Sequence, residues 1–191
     1  MKRRRINTNP FSERIPREIL YALEKASESL IRAGVDFVLI GGLALSYSFP
    51  SYPTEDVDFG VQDESSVPES IFGMKRLSKH MFEDKSGVIV DIVTSQHARV
   101  PAPVFAEAWR SAIVDARLGI RIASPLAIFA IKACRSRIKD QAHLQWMMRH
   151  GFDPGDEALL RLGVPEEDIA KLNLVRVLLA QEVAEEEEMG W

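Results

Sequence analysis

The sequence predicts an α+β fold in which a mixed α/β half is followed by an all-helical half. Short β-branched runs alternate with helical periodicity up to about residue 123, and helical periodicity alone follows. Pro and Gly are absent from Leu126 to His150, as is typical of long helices. These observations predict a flexible basic arm (1–15), an α/β domain (16–123), a helical subdomain (124–181) and an acidic tail (182–191).

The same periodicity predicts the individual elements. In the first half we expect helices at 16–33, 43–49, 67–79 and 104–109, and strands at 36–40, 57–61, 88–93, 113–114 and 120–122. In the second half we expect one helix, or two with a kink, from Ser124 to His150, and further helices at 156–161 and 165–181. Ser124-Pro125 is a typical helix start, because serine caps the first turn and proline suits the first helical position.

Composition indicates a globular protein without disulfides. The chain has 191 residues, 46% of them hydrophobic, and a single cysteine, Cys134. A chain of this length buries about 70% of the surface that its unfolded form exposes, so it folds without disulfide or metal. Five glutamates in the last ten residues account for the net charge of −4. Because the rest of the chain is close to neutral, RNA is a permitted partner but not a favoured one.

No segment predicts a signal peptide or a membrane span. The basic run Met1–Arg5 is followed by Asn-Thr-Asn-Pro rather than by an apolar segment. The longest uncharged stretch, 37–54, is interrupted by a glycine pair and two prolines. We therefore expect a cytoplasmic protein with no membrane partner.

Three aspartates in the first half are its most informative residues. Asp56 and Asp58 stand two apart at a strand start, so their carboxylates project from one face. Asp91 interrupts a β-branched run that otherwise predicts a buried strand, where an unpaired charge would be costly. Taken singly, each aspartate is more often structural, as a turn residue, a cap or half of an ion pair. If the two strands are neighbours, the three carboxylates converge, and a hard divalent cation such as Mg²⁺ (or Mn²⁺) is their simplest partner.

A glycine pair, Gly41-Gly42, follows the first predicted strand and precedes a short apolar segment. Glycine lets the backbone approach a ligand closely, and the free N–H groups of a helix N-terminus form an anion site. A glycine pair is usually only a turn, so its significance depends on its position 14 residues before Asp56. Together, the pair and the acids predict a site for a nucleoside triphosphate and a metal.

This order of a strand, Gly-Gly, a helix, Thr-x-Asp-x-Asp and a later strand with a third Asp resembles the nucleotidyltransferases of the DNA polymerase beta superfamily. It is most similar to the small prokaryotic branch with AbiEii-type and MenT-type toxins. The resemblance implies a nucleotidyltransferase-like mixed sheet flanked by helices, followed by a helical subdomain. It also implies that the triphosphate contacts Gly41 and Gly42 and that two divalent metals bind Asp56 and Asp58. Asp91 is implied to help hold one metal and to orient the attacking hydroxyl.

The resemblance covers about residues 20–150 and departs from the family pattern at one position. The toxin-like branch often has an arginine two residues before the threonine, where this chain has Tyr52. If that arginine binds the nucleotide, affinity or base choice differs here. The main alternative is therefore a catalytically inactive protein of the same fold that acts as a regulatory binding partner. A sugar-nucleotide transferase also uses Asp-x-Asp with a metal, but the early glycine pair and the distant Asp91 disfavour it.

A basic stripe is predicted on the helix that follows Ser124. At about 100° per residue, its members fall on one face of a continuous helix; they are Lys132, Arg135, Lys139 and His143. An adjoining apolar stripe, expected to pack on the sheet, contains Ile131, Cys134, Ile138 and Ala142. The basic stripe is either a solvated cationic face or a set of donors to a triphosphate. Because the toxin-like proteins carry a similar Lys followed by Lys-Asp, the nucleotide-binding residues implied are Gly41, Gly42, Thr54, Lys132 and Lys139.

The predicted activity is metal-dependent transfer of a nucleoside monophosphate from an NTP to a hydroxyl acceptor. Two Mg²⁺ ions would stabilise the attacking and leaving oxygens, and Asp91 would orient the acceptor and act as general base. The acceptor is expected to be a tRNA end or a protein side chain. The resemblance also implies a toxin of a toxin–antitoxin pair, with an antitoxin protein as partner.

Overall fold

A computed structural model describes residues 15–49, 54–135 and 137–189, which form two compact units. The first unit holds the described residues up to Val93 together with Ile113–Ile122. The second holds Thr94–Ala112 and the described residues from Ala123 onward, so Thr94–Ala112 groups with the helical unit rather than with the sheet. Residues 1–14 of the predicted basic arm, and Tyr52, lie outside the described residues.

The described residues of the first unit form a seven-stranded mixed sheet with helices packed on it. The helical elements are α1 (Arg17–Arg32), α2 (Gly41–Ser48) and a 3₁₀ turn (Glu64–Ser66). The strands are β1 (Phe37–Ile40), β2 (Asp56–Val61), β3 (Lys75–Arg76), β4 (Met81–Glu83), β5 (Ile89–Val93), β6 (Ile113–Asp115) and β7 (Ile120–Ile122). Their order is β3-β4-β5-β2-β1-β7-β6, in which β2–β5 and β1–β7 are parallel and the other pairs antiparallel. The prediction of an α+β fold with a mixed sheet flanked by helices is therefore confirmed.

The core of this unit lies on β1 and beneath α1. All four residues of β1 are buried, as expected of an apolar run in the middle of a sheet. Helix α1 buries a stripe at helical spacing, consisting of Ile19, Leu23, Ala26 and Leu30. The order of these elements therefore follows directly from hydrophobic periodicity.

The predicted helix at 67–79 is wrong. No residue of this range is helical. The 3₁₀ turn Glu64–Ser66 ends just before it, and the Asp63 carboxylate caps that turn by accepting from the backbone N–H groups of Ser65 (2.9 Å) and Ser66 (3.1 Å). Gly73 has a φ of +76°, which a helix cannot accommodate. The chain instead enters β3, which pairs with β4, a strand that the sequence does not signal.

In the described part of the second unit, every regular element is a helix. The helices are α3 (Ser95–Ala98), α4 (Ala102–Arg110), α5 (Pro125–Arg135), α6 (Ile138–Arg149), α7 (Asp156–Leu162) and α8 (Glu166–Glu188). The predicted helix start is confirmed, because the Ser124 hydroxyl accepts from the Ala127 N–H at 3.2 Å. Of the two options for 124–150, the structure has two helices, separated at Arg137, whose ψ of 155° is extended rather than helical.

Helix α8 continues seven residues past its predicted end at residue 181. Residues 182–188, expected in an acidic tail, are helical because glutamate is a good helix former. Arg149 on α6 also anchors this part, pairing with Glu182 at 3.1 Å and Glu186 at 2.9 Å. None of the described helices is both long enough and apolar enough to cross a lipid bilayer.

Candidate functional site

The sheet brings the three predicted aspartates onto neighbouring strands. In the parallel pair of β2 and β5, Asp58 lies directly opposite Asp91, and Asp56 lies opposite Ile89. Residues two apart on a strand share a face, as do residues directly opposite one another on adjacent strands. Asp56, Asp58 and Asp91 are therefore on one face of the sheet, as the sequence predicts.

Burial separates this face from the one behind it. The apolar residues that alternate with the aspartates on both strands are fully buried, namely Val57, Phe59, Val90 and Ile92. The three aspartates themselves are half-buried. The alternation explains how a β-branched run accommodates Asp91: its neighbours fill the core while its carboxylate points the other way.

Gly41 brings the start of helix α2 against the Asp58 carboxylate. Strand β1 pairs antiparallel with β2 so that Ile40 lies opposite Asp58, and Gly41 follows with a φ of +71°. A Cβ atom built on Gly41 would lie 2.7 Å from the Asp58 Cγ, far inside contact distance. Glycine is therefore required here on two grounds, the backbone angle and the space. The close approach also places the positive end of the α2 dipole beside the carboxylate, which favours negative charge there.

Thr54 contacts the first aspartate of the motif. Its Oγ1 lies 3.3 Å from the main-chain oxygen of Asp56 and 3.4 Å from the Asp56 Oδ1. A hydroxyl carries one proton, so it donates to one of these oxygens at a time. The hydroxyl that the family resemblance assigns to nucleotide binding thus also helps to orient the Asp56 carboxylate.

The donor set fits a divalent cation that is held jointly by protein and substrate. Strands in a sheet lie about 4.8 Å apart, so carboxylates opposite one another, such as those of Asp58 and Asp91, are within reach of a shared ion. Among residues 15–49, 54–135 and 137–189, no three His, Cys, Asp or Glu side chains are grouped closely enough to form a metal cage. Mg²⁺ is usually bound by one or two carboxylates plus substrate phosphates, so this arrangement is compatible with it.

His80, which sequence reasoning does not single out, contacts strand β5 at Ile92, the residue after Asp91. Its ring Nδ1 lies 2.9 Å from the carbonyl oxygen of Ile92, and its backbone oxygen accepts from the Ile92 N–H at 2.7 Å. Its Nε2 lies 3.3 Å from a carboxylate oxygen of Glu64. These contacts tie the entry of β4 to β5, next to the position where Met81 pairs with Asp91. No motif marks His80 because its role depends on a strand pairing that the sequence does not signal.

In the helical unit, the predicted basic stripe is split by the break at Arg137. Lys132 is only 6% exposed; its ammonium donates to the Nδ1 of His143 and lies 3.6 Å from the Asp140 carboxylate. Lys139, by contrast, is exposed in the first turn of α6. The two lysines thus differ in burial and do not share one helical face. The apolar stripe expected to pack on the sheet is wrong at Ile138, which is 88% exposed, and at Ala142, which is also exposed.

Asp140 is the centre of the charged cluster formed by these helices. It is 1% exposed, and Arg137 binds it through both carboxylate oxygens, at 2.6 and 3.2 Å, while Arg135 lies 3.9 Å away. Burial acts to raise the pKa of Asp140, but the Arg137 hydrogen bonds and the charges of Lys132, Arg137 and Arg135 outweigh it and hold the pKa below its ordinary value. The buried Asp140 carboxylate on α6 therefore links this helix to α5 through its ion pairs with Lys132 and Arg135.

No protein-family model and no curated protein matches the chain. Among solved structures, it is similar to an antigenic nucleotidyltransferase-like protein from Paracoccidioides brasiliensis, at 14% identity and a TM-score of 0.49, with 93% of each chain covered. It is also similar to ANT(2″)-Ia in complex with adenylyl-2″-tobramycin, at 12% identity and a TM-score of 0.41, with 88% of this chain and 99% of that chain covered. Both TM-scores are below 0.5, so neither similarity assigns a function to this chain.

Proposed function

We propose that this chain is a divalent-metal-dependent nucleotidyltransferase that transfers a nucleoside monophosphate from an NTP to a hydroxyl acceptor. The observation that carries the proposal is the register of β2 and β5, which sets Asp58 against Asp91 on one sheet face. Like charges directly opposite one another destabilise a sheet, so two aspartates at these positions are better explained by a bound cation than by folding.

The glycine pair supplies the second half of the proposed site. Gly41 and Gly42 open helix α2, whose first N–H groups have no partner within the helix and are suited to phosphate oxygens. Because the Asp58 carboxylate lies against Gly41, phosphates bound at the helix start would be next to the carboxylates. The proximity of an anion site to a set of acids is the arrangement that a metal-bound triphosphate needs.

The residues of the chain have distinct roles in the proposed reaction. Asp56, Asp58 and Asp91 would hold the cation between them, with Thr54 orienting Asp56. When bound, a divalent cation would neutralise phosphate charge and stabilise the developing charge on the leaving pyrophosphate. Asp91 would orient the acceptor hydroxyl and accept its proton as the oxygen attacks the α-phosphorus and the bond to pyrophosphate breaks. Lys132 and Lys139 remain proposed contacts of the triphosphate.

The proposed acceptor and biological setting follow from the family resemblance. We propose a tRNA end or a protein side chain as the hydroxyl acceptor, and a toxin paired with an antitoxin protein as the setting, because the sequence motif resembles toxin-like nucleotidyltransferases. We also propose that the protein acts in the cytoplasm.

The experiment that tests the proposal is label transfer from α-³²P-labelled NTPs to acid-insoluble products in a cell extract with Mg²⁺. The chain should transfer label, and Asp58→Asn and Asp91→Asn should not. Asp36→Asn is the matched control, because Asp36 is in the same unit but forms an exposed ion pair with Arg121. Equal transfer by Asp58→Asn and the unsubstituted protein would refute the catalytic assignment.

The alternative is an inactive protein of the same fold that regulates a partner. One observation favours it: the described residues contain no ready-made group of three metal ligands. Calorimetric titration with Mg–ATP, Mg–GTP, Mg–CTP and Mg–UTP separates the two proposals. Binding of any of these that is lost in Asp58→Asn supports the enzyme, and no binding to any of them supports the regulatory protein.

A further inference from the structure

Helix α8 has a second apolar face that its own unit does not cover. One side of the helix is buried in the second unit, with Ile169, Leu172, Val175 and Leu179 as its core residues. At about 100° per residue, a second stripe runs along the opposite side. Its large apolar members are exposed: Leu174 by 66%, Val177 by 55% and Leu178 by 54%. Contiguous exposed apolar residues of this kind mark interaction sites.

The same stripe becomes acidic toward the C-terminal end of the helix. We define the α8 outer face as Ala170, Leu174, Val177, Leu178, Gln181, Glu185 and Glu188, all of them exposed. Glu182 and Glu186 lie beside this face and pair with Arg149. Within the described part of the chain, no cation lies within ion-pair distance of Glu185 or Glu188. The α8 outer face thus combines a stripe of exposed apolar residues with an acidic end whose charges have no ion-pair partner in the described part of the chain.

Charge argues against a second copy of this chain as the occupant of the face. In a parallel pairing of two α8 helices, Glu185 and Glu188 of one copy would meet the same residues of the other. In an antiparallel pairing they would meet the first turn, where Glu166 and Glu167 are exposed. Like charges would be opposed in both orientations, which disfavours self-association. An anionic lipid surface would be repelled for the same reason.

We propose that the α8 outer face is the docking site of a partner protein segment that forms a basic amphipathic helix. Apolar residues of that segment at i, i+3 or i+4, and i+7 would pack along Leu174, Val177 and Leu178. Lysine or arginine residues near one of its ends would meet Glu185 and Glu188. The proposal is independent of the transfer activity, because it depends on no residue of the aspartate face.

The test uses the full chain and two synthetic helical peptides of about three heptads. Both peptides carry leucine at the positions that would pack along Leu174, Val177 and Leu178. One peptide has lysines beside these leucines at one end, and the other has glutamates at the same positions. Fluorescence anisotropy should show the lysine peptide binding at least about tenfold more tightly, a difference of about 1.4 kcal/mol. Equal binding of the two peptides would overturn the proposal, since charge would then not select the partner.

Variants of the chain locate the binding on the helix. Glu185→Lys should weaken the lysine peptide several-fold, whereas Glu187→Lys, the matched control at the same end but off the stripe, should not. Leu174→Ser with Leu178→Ser should abolish binding without changing the thermal melt, because both side chains are exposed. Equal weakening by the two lysine variants would contradict the proposal, as would a dimer in light scattering that the double serine variant dissolves, or binding to anionic phosphatidylserine vesicles.

Discussion

Aspartate has opposite environments in the two units. In the helical unit, Asp140 is buried and surrounded by cations, with Arg137 at 2.6 Å, Lys132 at 3.6 Å and Arg135 at 3.9 Å. In the sheet, Asp58 is half-buried and its register partner is another acid, Asp91. The helical cluster balances its acid within the protein, whereas the sheet sets two acids side by side.

The comparison separates an aspartate that stabilises the fold, Asp140, from one that we propose binds a cation, Asp58. The buried Asp140 carboxylate stabilises the fold because removing it would leave the buried Lys132 ammonium without its counter-charge. Two carboxylates in register repel one another, so removing one charge of the pair relieves that repulsion. Activity and stability should therefore respond in opposite ways to substitution at the two places.

The largest expected effect is on catalysis. Asp58→Asn keeps the side-chain volume and removes one charge of the opposed pair, so transfer of label should fall by about 10³-fold or more. The melting temperature should change little, because relief of the repulsion with Asp91 offsets the lost interaction with the α2 dipole. A thermal melt and a transfer assay on the same preparation check both expectations. A large loss of stability would show that the Asp58 charge stabilises the fold.

Next in size is the loss of Asp140. Asp140→Ala should lower the free energy of unfolding by about 3 kcal/mol, because it leaves Lys132, Arg135 and Arg137 without their shared counter-charge. Urea denaturation followed by circular dichroism measures this. Asp153→Ala is the matched control, an acid of the same unit whose ion pair with Arg176 is partly exposed, and it should cost less. A cost for Asp140→Ala no larger than the control's would contradict the structural role.

Gly41 tests whether the aspartate face needs the close approach of α2. Gly34→Ala and Gly41→Ala share the strain of a positive φ, roughly 1 kcal/mol, since their φ values are +68° and +71°. Only at Gly41 does the added methyl group overlap the Asp58 carboxylate; Gly34 has open space around it. Gly41→Ala should therefore cost about 1–3 kcal/mol more and reduce transfer. Equal melting temperatures and equal transfer for the two variants would show that the close approach of α2 to Asp58 contributes to neither stability nor activity.

The smallest expected effect is that of pH on the helical cluster. Because the pKa of Asp140 is held below its ordinary value, its stabilisation is fully present above the unfolded pKa of about 3.9 and is lost as pH falls through the lower folded value. The difference in unfolding free energy between the unsubstituted chain and Asp140→Asn should thus be constant from pH 7 to about 5 and shrink below about pH 4. If this difference in unfolding free energy grew as the pH fell, the lowered pKa of Asp140 would be contradicted.

The face that holds the aspartates could be predicted from sequence because it depends on alternation alone. Asp56 and Asp58 share a face whatever the sheet order, and Asp91 interrupts a β-branched run that had to be a strand. Local patterns do not encode which strands pair. The register that sets Asp58 opposite Asp91, and the contact of Gly41 with Asp58, depend on long-range pairing and are seen only in the structure.

The helical half shows where periodicity fails. The spacing of Lys132, Arg135, Lys139 and His143 places them on one face only if the helix is continuous. The extended backbone of Arg137 breaks it without a Pro or Gly to signal the break, and the buried Asp140 then gathers cations from both sides. The helix predicted at 67–79 fails for the related reason that pairing of β3 with β4 overrides a weak local pattern.

Asp56, Asp58 and Asp91 are proposed to bind a divalent cation together with a nucleotide. Electron paramagnetic resonance of Mn²⁺, titrated with the chain and a non-hydrolysable NTP, measures this directly through the loss of the free-ion signal. We expect the unsubstituted chain and Asp36→Asn to deplete free Mn²⁺ beyond what the nucleotide alone does. The double variant with Asp58→Asn and Asp91→Asn should not. Equal depletion by the double variant, or none by the unsubstituted chain, would contradict it.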